Sequence, residues 1–433
     1  MKLPHGTTRV AIVSLIGTWW DMSPNSALLM LRFLLNNLRW LTAGFLLTFA
    51  SACGQTWFIS LSAAAIKQEY GLSDSGWGGL YTLATLASAA LMFWQGSLVD
   101  RVAPRLVAIG TAGGFAVAAA GMAVGQSVWL LGCSLFLLRF CGQGMLGHIA
   151  MTAIGRWFIA QRGRAVAIAN LGYPASEILL AAPAILMINT LGWRSPWTAA
   201  AGLLLFSFAP LIAWLLAGSR TPQSLSAQQE QTGLDGRHWQ RREAIGHWLL
   251  PALLPTLLTP GFMGTVLFFQ QTNIAKVKGW SLVAMAPGFT CFAVSGVIAS
   301  FTAGWMVDRF GGQRLLPLLL VPIGFGMALI GPVSHVAFWY VALAMMGVTM
   351  GMASALWGAF LPTLYGTRHL GAIRSLSTTI MVFSTALGPG LTGLLIDQGI
   401  DVPTQCLALA AWCFAVSAGS LLIKRRLEQE MAA

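Results

Sequence analysis

From about residue 40 onward, long apolar runs alternate with short polar breaks, and each run is far longer than one face of an amphipathic element needs. A mostly apolar run of about 17 to 20 residues can cross a bilayer as a helix. Twelve such runs occur: Leu41 to Ala65, Gly76 to Leu98, Leu106 to Gly125, Val128 to Ile154, Ala165 to Ile188, Pro196 to Leu216, Trp248 to Thr272, Leu282 to Met306, Leu315 to Gly331, Val336 to Phe360, Ala372 to Ile396 and Cys406 to Ile423. The longest polar stretch, residues 218–247, separates the sixth from the seventh. The expected fold class is an all-α membrane protein of 12 transmembrane helices in two pseudo-symmetric six-helix bundles. Residues 37–217 and 248–424 form the bundles, 218–247 the linker, 425–433 a tail and 1–36 an N-terminal extension. Within that extension Val10 to Trp20 is too short to span, and no small-residue cleavage site follows it. Translation starting at Met30 is the alternative reading of that segment.

Composition supports the lipid environment. Only 9% of residues are charged, against about 25% in soluble domains. A net charge of +12 raises the possibility of nucleic acid. Such binders concentrate Lys and Arg on one face, whereas here the basic residues sit in bursts between spans, so no nucleic-acid partner is expected. With a cytoplasmic N-terminus, 20 of the 25 basic residues fall on the cytoplasmic side, four on the other, and Arg139 within a span. The positive-inside rule then places both termini and the linker in the cytoplasm, and a bacterial inner membrane is the expected location. All six cysteines lie in apolar segments without metal-ligand spacing and read as small core hydrophobes.

An internal repeat relates the halves. Gly96 and Gly304, Asp100 and Asp308, Arg101 and Arg309, and Gly163 and Gly371 are each 208 positions apart. Two similar halves with an axis along the membrane normal are the architecture of a rocking secondary transporter.

With twelve spans, a central loop and two copies of G-x-x-x-D-R in loops 2-3 and 8-9, the chain resembles the major facilitator superfamily, over essentially Arg39 to Arg426. That family's loop motif is matched at Gly96, Leu98, Asp100, Arg101 and Arg105, with departures at Ala103 and Leu106. The second copy keeps Gly304, Asp308, Arg309, Gly311 and Arg314 but has Gln313 at the first basic position. Glycine in such a motif can let helix backbones approach closely. The resemblance implies that Asp100 faces the start of the eleventh span near Gly371, and Asp308 the start of the fifth near Gly163. These contacts would latch the halves on the cytoplasmic side in the outward-facing state, with Arg101 and Arg309 holding phosphate head groups or carboxylates. The alternative is that the Asp-Arg pairs are only positive-inside anchors.

Apart from histidine, two ionisable residues fall clearly inside spans: Arg139 in the fourth and Glu177 in the fifth. Charge at mid-bilayer costs about 2.5 to 3.5 kcal/mol on the most lenient scale, so such residues usually face a cavity or a partner. Arg139 lies 17 residues before Arg156 and Glu177 15 after Arg162, which sets them at similar depth on antiparallel helices, within reach of pairing. The planar fork of Arg139 suits a carboxylate or phosphate, and Glu177 is the candidate proton carrier; a static salt bridge between them is the alternative. Gln55 and Trp57 in the first span and Gln270 and Gln271 in the seventh are further substrate candidates, since the resemblance implies that these spans line the pathway. The position of Gln270 and Gln271 near the outer end would also be explained by exposure to water. Gly172, Tyr173 and Pro174 promise a kink in the fifth span, and GPGLTG from Gly388 a break and close-packing site in the eleventh.

No G-x-x-x-x-G-K-S/T motif is present, which argues against self-powered ATP use. Neither paired carboxylates nor a metal constellation suggests an enzyme. A transporter-like receptor should carry a large cytoplasmic extension, and only KRRLEQEMAA follows Ile423. The expected function is a secondary transporter, proton-coupled, of a small organic solute such as a carboxylate. An exporter of apolar compounds, lined by some of the 18 Trp and 23 Phe, is the alternative. No cofactor or metal and no obligatory protein partner are expected beyond substrate, coupling proton and bilayer.

Overall fold

The computed structural model describes residues 24–95, 102–158, 162–218, 233–366 and 369–432. The elements among them are helical. Helix α1 (Pro24–Ala50) continues through a 3-10 turn (Ser51–Gly54) into Thr56–Leu61 and Ala63–Tyr70, and α2 is Asp74–Gln95. Then come α3 (Pro104–Val124), α4 (Val128–Leu137, extended through Leu138–Leu146 and Gly147–Trp157) and α5 (Arg162–Asn170, then Gly172–Leu191). Helix α6 runs Ser195–Leu203, Leu204–Phe208 and Ala209–Leu215. The second half comprises α7 (Leu249–Phe269, then Gln271–Lys278), α8 (Leu282–Met285, then Pro287–Phe310) and α9 (Gly312–Leu315 to Val321–Ile330). It ends with α10 (Ala337–Tyr365), α11 (Leu370–Asp397) and α12 (Val402–Ala432).

Among the described residues, 11 helices are long and apolar enough to cross a membrane. The remaining expected span is α2, whose 22 residues give it the length to cross as well. The first helix starts at Pro24, well before the apolar run that announced it.

Local chemistry sets the helix ends. The Ser127 hydroxyl accepts the Leu130 N–H at the start of α4, and Ser281 accepts that of Ala284 at the start of α8, satisfying donors that have no partner within the helix. Gly71 (φ 62) closes α1 and Gly279 (φ 69) closes α7 in the left-handed region that glycine adopts without penalty. These two caps, 279 − 71 = 208 positions apart, carry the sequence repeat into the backbone.

The α2–α11 contact joins the halves. A Cβ on Gly78 would lie 2.2 Å from the Pro389 carbonyl oxygen, and one on Gly393 2.4 Å from that of Asp74. The GPGLTG segment is therefore a close-packing site as expected, but α11 runs through Pro389 without a break. At the segment expected to kink α5 the helix is interrupted at Leu171, and Thr48 of α1 donates to the Ala169 carbonyl at 2.6 Å. Part of the linker is ordered against the second half. Gly233 packs on the end of α10, the Trp239 N–H donates to the Tyr365 carbonyl at 3.0 Å, and a capping box of Gln240 and Glu243 starts a short helix (Arg241–Gly246).

Candidate functional site

Two breaks in helical regularity meet at the middle of the first bundle. Helix α1 passes through its 3-10 turn to Gln55, whose backbone is extended (φ −79, ψ 150), before helix resumes at Thr56. Facing it, α4 widens into a π-helix over Leu138–Leu146. Such π segments recur at functional sites because the extra residue per turn re-aims side chains and frees backbone groups. Small residues let the two irregular segments touch: a Cβ on Gly54 would lie 2.4 Å from the Leu138 carbonyl oxygen and 2.7 Å from the Gly142 Cα.

Arg139 projects from the π segment into this break. It is 1% exposed. Its Nη1 donates to the Gly54 carbonyl at 3.1 Å and to the Thr56 hydroxyl at 3.4 Å. The guanidinium also lies over the Tyr81 ring, 5.1 Å from its centroid, and the Tyr81 and Thr56 hydroxyls are 2.7 Å apart. Nε and Nη2, buried with it, have no hydrogen-bond partner among the described residues. A buried cation with two unsatisfied donors is an unusual expense, and this pair is the edge that binds a carboxylate in bidentate fashion.

Glu177 is half-buried on α5 and, among the described residues, makes no ion pair or hydrogen bond. The pairing with Arg139 suggested by their similar depth is not made in this conformation. Gln55, at the break itself, is half-buried and donates only a long bond, 3.4 Å, to Ser51.

The other candidates seal the end of the bundle opposite the linker, called here the far end. Gln271 of α7 is 1% exposed and donates to the Trp57 carbonyl at 2.9 Å and the Ser60 hydroxyl at 2.7 Å, both on α1. Gln270, 3% exposed, donates to Thr392 of α11 at 2.8 Å. Solvent exposure therefore does not explain these amides; they stitch helices together. Trp57 packs against Phe289 of α8 (5.4 Å between centroids), and Phe269 of α7 against Tyr81 (4.7 Å) and Trp77 (5.6 Å) of α2. Beyond these rings, Thr82 donates to the Ala386 carbonyl at 2.6 Å, and Asp397 accepts the N–H groups of Asp74 (3.2 Å) and Ser75 (2.9 Å) at the start of α2. Nothing in the sequence pattern singled out Asp397; its role depends on α11 lying against α2.

Outside the spans, Glu69 at the far end accepts from Trp193 Nε1 at 2.8 Å and pairs with Arg194. Partial burial pushes its carboxyl up, but the hydrogen bonds from Trp193 and Arg194 and the guanidinium charge outweigh that and hold it below the usual carboxylate range.

At the linker end the described loop motif, that of α8 and α9, is open. Gly96, Asp100 and Arg101 lie outside the described residues. Arg105 is exposed near the start of α3. Asp308 is exposed and, among the described residues, has no hydrogen-bond or ion-pair partner, so the contact expected near Gly163 is not made here. Arg309 lies over Trp305 and Phe310, at 5.5 and 5.7 Å, and Arg314 is exposed. The close helix approach expected of Gly304 is absent, since a Cβ there would meet nothing within 4 Å. On α8 that role falls to Gly296, whose carbonyl oxygen would lie 2.2 Å from a Cβ on Gly351 of α10. Among the described residues, then, the hydrogen bonds between halves lie in the far half of the bundle, and the motif acid at the linker end is unengaged. No group of His, Cys, Asp and Glu among them could hold a metal.

The family model described as Major Facilitator Superfamily matches residues 44–389 and 288–425. The gallate transporter of Pseudomonas putida is 22% identical over 395 residues, covering 82% of this chain and 85% of that protein. Monocarboxylate transporter 11 of Mus musculus is 25% identical over 306 residues, covering 68% and 67%. Among solved structures, a bacterial homologue of the human lysosomal transporter Spinster, inward-facing and occupied, superposes with a TM-score of 0.67 at 15% identity over 90% of this chain and 97% of that one. A nucleoside transporter gives 0.66 at 13% identity over 89% and 98%. With this fold and a family match across most of its length, the chain belongs to the major facilitator superfamily and is a membrane transport protein, not an enzyme.

Proposed function

We propose that this protein carries a small organic acid across the membrane and that Arg139 holds the carboxylate. The carrying observation is the state of Arg139: fully buried, fixed on one side by Gly54 and Thr56, with Nε and Nη2 unpartnered. A carboxylate would satisfy both donors and neutralise the charge, which a neutral apolar solute could not do. That relatives include carriers named for gallate and for monocarboxylates supports the same class.

With the linker end in the cytoplasm, a reading supported by the excess of basic residues on that side, the sealed far end makes this conformation inward-facing. Transport proceeds by rocking of the halves about the central site. Opening the far end requires the Gln271–Trp57, Thr82–Ala386 and Asp397–Ser75 contacts to break. Closing the linker end brings Asp100 and Asp308 against the N-termini of α11 and α5. Glu177, a half-buried acid without an ion-pair partner, carries the coupling proton.

Uptake by cells or proteoliposomes of gallate, benzoate and lactate, compared with benzamide and lactamide, tests the substrate class. Accumulation of at least one acid with exclusion of the amides is the expected result. Transport of acid and amide at equal rates would overturn the reading.

A further inference from the structure

A cleft of about 610 Å³ opens on the outer surface between α1 and α6, and none of the Arg139 contacts lines it. Its polar edge comes from α1: Asn36, Arg39 and Thr42 line it, and Arg32 stands seven residues before Arg39. Positions 32, 36 and 39 share one helix face, so two guanidinium groups and an amide follow one stripe. Its depth is apolar, with Leu46 of α1 and Leu211 and Leu215 of α6.

Arg39 spans both environments. Its Nε donates to the Leu215 carbonyl at 2.8 Å and Nη2 to that of Trp214 at 2.6 Å, so it closes the C-terminus of α6. The guanidinium stacks over Trp40 (5.4 Å) and Trp214 (5.7 Å), while among the described residues Nη1 has no acceptor. Tryptophans at such a position mark the headgroup level of a bilayer. Leu35 and Leu38 at the same end of α1 are 63% and 58% exposed.

We propose that this cleft is a binding site for an anionic phospholipid. The phosphate meets Arg39 Nη1 and Arg32, Asn36 supplies a further hydrogen bond, and an acyl chain lies along Leu46, Leu211 and Leu215. Charge complementarity selects the anionic headgroup: each Lys or Arg near an anionic lipid surface strengthens association by about fivefold. The α6 carbonyl dipoles, which would repel a phosphate, are already occupied by Nε and Nη2 of Arg39.

The test is thermal unfolding of the purified full chain in detergent, titrated with phosphatidylglycerol, phosphatidylcholine or inorganic phosphate. Phosphatidylglycerol should raise the midpoint at low mole fraction, and the other two should not. Because Arg39 also caps α6, Arg32→Gln is the decisive variant: it should raise the half-effective phosphatidylglycerol concentration about fivefold without altering the lipid-free midpoint. Arg39→Gln should do so more strongly, and Arg425→Gln, at an exposed site on α12, should not. An equal response to phosphatidylcholine or free phosphate, or an unchanged titration in Arg32→Gln, would overturn the site.

Discussion

Asp397 Oδ2 accepts the backbone N–H of Ser75 at 2.9 Å, so the last residue of α11 caps the first turn of α2 across the interface between the halves. A carboxylate on exposed N–H groups at a helix start contributes about 0.3 to 1 kcal/mol, and up to about 2 when partly buried. In the proposed cycle this contact breaks when the far end opens, and its energy then biases the equilibrium between states. Asp397→Asn should therefore populate the outward-open state more, raising labelling of a Thr272→Cys probe, buried at the far end at 7% exposure, by an impermeant maleimide about two- to fivefold. Unchanged labelling would mean that Asp397 is only a surface cap.

The glycine contacts make a graded prediction. Gly78→Ala should destabilise by about 1 to 3 kcal/mol, because the new methyl would press on the Pro389 carbonyl 2.2 Å away and neither backbone can yield freely. Gly54→Ala should behave alike against Leu138 and Gly142. Gly304→Ala should be neutral or stabilising by up to about 1 kcal/mol, since the position is open and alanine favours helix. Thermal unfolding midpoints in detergent would rank the three.

Acid should loosen the far end of the first half. A carboxyl held below its unfolded value of about 4.3 adds stability above that pH, and the contribution disappears as pH falls through the lower folded value. Glu69 is such a group, held down by Trp193 and Arg194. Glu69→Gln should cost stability at pH 7 and narrow its gap to wild type below about pH 4. A gap independent of pH would show that the ion pair is not its source.

Glu177→Gln should keep substrate binding and exchange while losing accumulation driven by a pH gradient. Full pH-driven accumulation in the variant would remove the proton role.

Much of the fold was legible in the chain because lipid imposes a blunt code. Span length, the sparse charge and the 208-residue offset each need no tertiary knowledge. What escaped was set by contacts between spans. The π segment around Arg139 has the same apolar pattern as an α-helix, and the 3-10 turn before Gln55 carries no proline to announce it. Gln270 and Gln271 read as substrate candidates or solvated amides, because their partners, Thr392 and the backbone of Trp57, lie on other helices. Gly304 belonged to a motif whose glycine promised close packing, and only the placement of α8 shows open space beside it. Asp397 was unremarkable in sequence for the same reason: an acid at a helix end acquires meaning from the helix start it faces.

The central claim rests on the two free donors of Arg139, and substrate uptake by Arg139→Gln is its most direct test. Glutamine keeps a polar side chain at the site and removes the charge and the bidentate edge. With wild-type levels of folded protein in the membrane, acid uptake should fall at least about tenfold, in line with the loss of a charge-assisted pair of hydrogen bonds. Uptake of the same acid at the wild-type rate would contradict the account.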